Sequence, residues 1–284
     1  MTTAAEKNQS RNHEDIEAIE MPLLTEAMFQ RYGYDFRGYA AASLKRRVRH
    51  AMQAEGVQTI SAFQEHVLHD AEAMARFLDI VSVDVTAMFR DPLFYKVLRN
   101  KVVPDLRALP HVRVWHAGCS TGEEVYSMAI LLHEEGLLEK SQLYATDLNQ
   151  RALERAREGI FPLNHMREYT ANYQKTGGGE EFSRYYTAKH DSAILRDFLR
   201  GNIVWAGHNL VTDGSFNEFQ MILCRNVMIY FGRPLQERVH RLIYDSLAMG
   251  GMLCLGHGES LQFTPHEKCY EVADRAEKIY RKVK

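Results

Sequence analysis

The chain has 284 residues and a mass of 32.7 kDa; with 45% hydrophobic and 25% charged residues it has the proportions of a soluble globular protein with a sizeable core. Lysine and arginine (35) nearly balance aspartate and glutamate (37), and a pI near 6.7 excludes a globally basic binder of nucleic acid or anionic membrane, so any basic surface is local. Apolar runs such as MILC and MLCL fall far short of the roughly 20 residues of a membrane span, and the polar N-terminus has no signal-peptide core, so a cytoplasmic location is expected. Cys119, Cys224, Cys254 and Cys269 form no CxxC pair and no Cys/His cluster; reduced thiols are expected, with neither a disulfide nor a bound metal.

Residues 1–13 are polar without apolar periodicity and read as a mobile tail. From 14 to 86 the spacing is helical, with Leu23, Leu24, Ala27, Met28 and Phe29 on one face, followed by SLKRRVRHAMQAEG, SAFQEHVLHD and AEAMARFLDIV. Gly56 separates two of these helices, and Ser61 is a plausible cap with Glu65 behind it. This is a small all-α domain, joined by a linker reaching to about residue 95. Lys45, Arg46, Arg47 and Arg49 crowd two helical turns: either a solvated face or a stripe that docks an acidic helix.

At Val112 the pattern changes. VRVW reads as a buried strand, HAGCSTG as a loop carrying Gly118 and Gly122, and EEVYSMAILLHEEG as a helix. Such a turn brings backbone N–H groups and a helix N-terminus close to a ligand. QLYATD and the helix NQRALERAREG follow, and the alternation argues for a parallel α/β sheet. The alternation breaks at about 162–201, where TGGGEE lies between short β-prone runs; a small inserted β hairpin or sheet is expected there. NIVWAGHN, FQMILCRNVMIYF, the helix PLQERVHRLIYDSLAMGG and MLCLGHGESL resume the α/β pattern, and EKIYRKV closes it as a strand.

Asp147 ends an apolar strand one unit beyond the glycine loop, where a doubly wound sheet places an acid for ribose hydroxyls; its alternative is a cap on the following helix. The loop is not GxGxxG, which favours the adenosine of S-adenosylmethionine (SAM) over NAD. Arg225 and Asn226 interrupt an otherwise apolar strand and must be paired or face a ligand. Tyr230 lies four residues beyond Asn226, either at a substrate-binding edge or in the core. In VSVDVTAMFRDPLFY, Arg90 is placed to orient a carboxylate or to pair with an acid such as Asp91.

With HAGCSTGEEVYS, ATDLNQRALERAREGIF, ILCRNVMIYF and VTAMFRDPLFY in this order, the chain resembles the CheR-type chemotaxis receptor methyltransferases over nearly its whole length after the tail. The resemblance implies an all-α N-terminal domain and a Rossmann-like class I methyltransferase domain over 96–284 with an inserted β subdomain. It implies methyl transfer from SAM to glutamate side chains on the cytoplasmic domain of methyl-accepting chemotaxis receptors, leaving S-adenosylhomocysteine. The family's motifs place cofactor contacts on Thr86, Arg90, Glu124, Asp147, Asn209, Leu210, Asn226 and Val227, beside Gly118 of the loop. Asp84 stands where the family commonly has asparagine. Some members hold a C-terminal receptor peptide on the β subdomain.

The expected chemistry is in-line transfer to a carboxylate that is already ionised, with Arg90 and Tyr230 holding the acceptor where the helical domain closes the cleft, and with no nucleic acid or membrane insertion involved. A scaffold that binds SAM without methylating receptors is the alternative reading.

Overall fold

The computed structural model describes residues 4–82 and 86–284 and divides into a helical unit, Met1–Ser82 with Tyr230–Leu235, and an α/β unit, Val83–Ile229 with Gln236–Lys284. Among the described residues four helices build the first: α1 (Ala4–Tyr32), α2 (Ala41–Glu55), α3 (Ile60–His69) and α4 (Ala71–Val81). Helix α1 reaches back to Ala4, so residues 4–13, expected as a tail, have helical backbone; residues 1–3 of that tail lie outside the described residues. Gly56 ends α2 at φ 70°, where a side chain would be strained. The cap of α3 is Thr59, whose side chain accepts from the Ala62 N–H, rather than Ser61, which donates to Glu20. Leu24, Met28, Phe36, Val48, Phe63 and Phe77 form the core, Phe77 meeting Phe36 and Phe63 edge to face at 5.7 and 5.5 Å. The segment Tyr230–Leu235 is fastened to this unit by Ala40 N–H to Tyr230 O (2.9 Å) and Gly232 N–H to Gly38 O (2.8 Å).

In the second unit α5 (Pro92–Val97), a π turn (Leu98–Val102) and α6 (Val103–Arg107) precede the sheet. Then follow β1 (Val112–Ala117), α7 (Glu123–Glu134), β2 (Ser141–Asp147), α8 (Gln150–Glu158), β3 (Ile160–Pro162), α9 (Met166–Gln174), β4 (Tyr186–Lys189), β5 (Ser192–Leu195), β6 (Ile203–Gly207), β7 (Phe219–Cys224), α10 (Arg233–Ser246, of which Arg233–Leu235 belong to the helical unit), β8 (Leu247–Leu255), β9 (Tyr270–Asp274) and β10 (Ile279–Lys282). The main sheet has the order β6-β2-β1-β7-β8-β10-β9. Its first five strands pair in parallel, whereas β10 runs antiparallel to both β8 and β9. The sheet is therefore mixed rather than wholly parallel: no crossover helix separates β8, β9 and β10, and strands joined without one pair antiparallel.

The inserted sheet has the order β3-β5-β4, all antiparallel. Its hairpin turn lies at His190 and Asp191, and the Gly177–Gly179 run instead follows α9, so the triple glycine marks the insertion without being its β turn. Chain order moves outward from β1 to β2 on one side and resumes with β7 on the other, so a crevice opens beyond the C-terminal ends of β1 and β7.

Candidate cofactor site

The loop between β1 and α7 is tightly tied. Gly118 N–H and Cys119 N–H both donate to Thr146 O (2.9 Å each), and Ser120 N–H donates to Asp147 Oδ2 (2.8 Å). Gly118 stands at φ 80° and Gly122 at φ 92°. A Cβ on Gly118 would lie 2.5 Å from Val227 Cγ2, so only glycine lets the turn after β7 come this close. The second oxygen of Asp147 accepts from Asn149 N–H (2.9 Å), and the side chain of Asn149, not that of Asp147, caps α8. Asp147 thus fastens the glycine loop to the end of β2.

Thr86, Ala87, Arg90, Tyr95, Gly118, Cys119, Ser120, Glu124, Arg225 and Asn226 line a cavity at the crevice. Of the residues expected from sequence, Thr86, Arg90, Gly118, Glu124 and Asn226 meet here. Val227 packs on Gly118 from the adjoining turn. Asn209 and Leu210 follow β6, Asn209 Oδ1 accepting from Val211 N–H (3.0 Å) and Leu210 being buried. Asp84 lies outside the described residues. Tyr230 belongs to the helical unit, where the Arg47 guanidinium lies over its ring at 4.0 Å.

Arg47 is 4% exposed and so does not belong to a surface stripe. Lys45 and Arg49 both pair with the buried Glu17, whereas Arg46 is exposed on α2.

Arg225 is the centre of the cavity's electrostatics. Its Nη1 donates to Glu124 Oε2 (3.1 Å), its Nη2 to Asp91 Oδ2 (2.8 Å), and its plane covers the Phe94 ring at 4.0 Å. Glu124 Oε1 lies 2.9 Å from His116 Nδ1. Burial pushes the Glu124 carboxyl up, but His116 and Arg225 outweigh it and hold the group below the ordinary value. The carboxylate is therefore ionised. Burial pushes the Cys119 thiol and the Tyr95 phenol well up, so both stay protonated and neither is a nucleophile or a base. Phe89 (φ 53°) and Asp91 (φ 58°) flank Arg90 in the left-handed region, each conformation costing roughly 1–3 kcal/mol. The Phe89 N–H bond to Ser127 Oγ (2.8 Å) and the Asp91–Arg225 pair hold this strain in place.

These residues suit a ligand with a positive centre beside a nucleoside. An ionised glutamate faces the cavity, and a glycine loop lets backbone approach without side chains. Sequence reasoning singled out Arg225 without its partners, and did not mark His116 or Tyr95; a histidine after the tryptophan of a buried strand was the available signal for the first.

Comparisons with known proteins identify the family. The family model for the CheR methyltransferase SAM binding domain matches residues 84–276, and that for the CheR methyltransferase all-alpha domain matches residues 19–82. The chain belongs to the CheR methyltransferase family. It is similar to "Putative methyltransferase Cher3" of Pseudomonas putida, 48% identical over 93% of this chain and 97% of that one. It is also similar to the "Chemotaxis protein methyltransferase" of Listeria innocua (30% identical, 81% of this chain and 85% of that one) and that of Salmonella typhimurium (28%, 84% and 82%). The CheR chain is accordingly a SAM-dependent methyltransferase, and SAM is the ligand that the cavity suits. Glu124 would hold the cationic part and the Gly118–Ser120 backbone the nucleoside side. No helix among the described residues is long and apolar enough to cross a membrane.

Proposed function

We propose that this protein is a cytoplasmic protein-glutamate O-methyltransferase that methylates glutamate side chains on the cytoplasmic helices of chemotaxis receptors. The carrying observation is that the CheR models match both domains, while relatives named chemotaxis protein methyltransferases align over more than four-fifths of this chain. The cavity's chemistry supports a carboxylate acceptor. An alcohol or amide acceptor needs a base, yet the thiol and phenol that line the cavity are held protonated and the carboxylate of Glu124 is engaged by Arg225 and His116. A glutamate, with a reference pKa of about 4.3, arrives ionised and needs none.

SAM, when bound, supplies an electrophilic methyl on a sulfonium. The protein's part is placement. Arg90, held between two strained residues, orients the acceptor carboxylate by paired N–H donors. Arg46, exposed on α2, is proposed to meet acidic receptor helices, and the small sheet is proposed to take a receptor C-terminal peptide along β4, an edge strand. Tyr230→Phe, which keeps the ring and removes the hydroxyl, tests the acceptor role that the sequence assigns to Tyr230.

The experiment is methylation of a receptor cytoplasmic fragment with labelled SAM, using wild type and Arg90→Ala. Label is expected on the fragment with wild type, loss of most turnover with a folded Arg90→Ala protein, and no label on a fragment whose acceptor glutamates are alanine. Equal labelling of that alanine fragment overturns the glutamate assignment; near-normal turnover by Arg90→Ala removes the role of Arg90.

A further inference from the structure

Glu259, from the HGES stretch after β8, is 5% exposed, and its carboxylate accepts four backbone N–H bonds. Oε1 takes Val227 (2.8 Å) and Met228 (2.8 Å), and Oε2 takes Asn226 (3.0 Å) and Gly256 (2.6 Å). Successive N–H groups converging on one anion form a backbone nest, the arrangement with which proteins commonly bind phosphate. Here the protein's own carboxylate fills it. Burial pushes this carboxyl above the ordinary value while the four amides pull it down, and two donors per oxygen match the acceptor capacity of a carboxylate.

The fastened turn is the one that shapes the cofactor cavity. Asn226 stands at φ 62°, the left-handed region that asparagine adopts more readily than other residues with side chains, and its N–H is thereby turned toward Glu259. Arg225 and Asn226 line the cavity, and the next residue, Val227, lies against Gly118 of the glycine loop. Gly256 permits the clip, since a Cβ there would sit 2.8 Å from Asn226 N and 2.9 Å from Glu259 Oε2.

We infer that Glu259 is a positioning residue for the cofactor site: its carboxylate clamps the turn after β7 against the turn after β8, so that Arg225 and Asn226 are held in the cavity wall before SAM binds. Glu259 is not among the residues that line the cavity. It acts through the four amides. Losing it frees the turn, and SAM must then order that segment as it binds, which weakens binding without altering the reacting atoms.

Glu259→Gln is the direct test, because it keeps the shape while one oxygen becomes an NH2 group. Whichever way the amide turns, two of the four N–H groups then face a donor. Calorimetry on the folded variant is expected to give a SAM Kd at least tenfold above wild type, with KM for SAM rising in parallel and kcat at saturating SAM within about threefold of wild type. An unchanged Kd, or a loss confined to kcat, overturns the inference. Should Glu259→Gln fail to fold, amide hydrogen exchange on wild type decides: the N–H groups of Asn226, Val227 and Met228 are expected to be protected like those of β7 even without SAM, and exchange at the rate of open loops overturns the clamp. The inference rests on SAM binding and not on the acceptor. Wild type that binds SAM yet methylates no receptor fragment removes the proposed function and leaves this one to be read from Kd alone.

Discussion

Replacing Gly118 with alanine would place a Cβ 2.5 Å from Val227 Cγ2 on a residue at φ 80°. Two costs follow. The left-handed conformation in a residue with a side chain costs roughly 1–2 kcal/mol, and overpacking a filled contact roughly 1–3 kcal/mol more. Val227 cannot easily yield: it is β-branched and stiff about χ1, and its backbone N–H is bonded to Glu259 at 2.8 Å. The expected loss is therefore about 2–5 kcal/mol in urea unfolding, together with at least a tenfold weaker SAM Kd by calorimetry, because the displaced loop carries the Ser120 N–H bond to Asp147. Adding Val227→Ala removes the steric part but not the backbone part. The double variant should thus recover roughly 1–3 kcal/mol relative to the sum of the single effects. Additive single effects, or a Gly118→Ala protein with wild-type stability and affinity, would refute the close approach of the two turns.

Other outcomes follow from the same physics. The Trp115 indole N–H, fully buried, donates to Thr146 Oγ1 at 2.8 Å, so Thr146→Val strands the donor and should cost about 1–3 kcal/mol in urea unfolding; a neutral result removes the bond from the account. Hydrogen bonding from Arg76, with burial opposing and His66 assisting, pulls the Glu55 carboxyl down to about 2 from 4.5. A depressed acid contributes stability above its unfolded value and loses it as pH falls through its folded value. The stability gap between wild type and Glu55→Gln should accordingly be widest near neutral pH and close between 4.5 and about 2, read by urea unfolding across pH. A gap that is constant with pH contradicts the assignment of the shift to Glu55.

Local signals in the sequence carried much of the fold. VRVWHAGCSTGEE read as strand, glycine loop and helix because each step has its own short-range cause: alternation, positive φ, and helical spacing. Gly56 marked the end of α2 for the same reason. Capping was less legible, since Thr59 and Ser61 offer the same hydroxyl and only tertiary contact decides: Ser61 is engaged by Glu20, 41 residues away. Direction in the sheet was also hidden, because a strand's apolar pattern does not say which neighbour it joins; β10 read as a strand but not as antiparallel.

At the site, Thr86, Arg90, Gly118, Glu124 and Asn226 were legible through motifs and do gather at one cavity. The partners of Arg225 were not, because Glu124 and Asp91 lie 101 and 134 residues away in sequence. Arg47 shows the reverse limit. A cation in a basic run reads as surface, yet its long stem and planar head pack over the Tyr230 ring, a contact that charge patterning does not reveal.

The central claim is that the methyl goes from SAM to a glutamate carboxylate, and its most direct measurement is the chemistry of the bond formed. Receptor cytoplasmic fragment labelled by this protein with methyl-labelled SAM is treated with mild alkali, and the volatile label is collected. Methyl esters hydrolyse there, so release of the label as methanol in proportion to that lost from the fragment is the expected result. Label that stays on the fragment through alkali, as a methylated nitrogen would, contradicts the account.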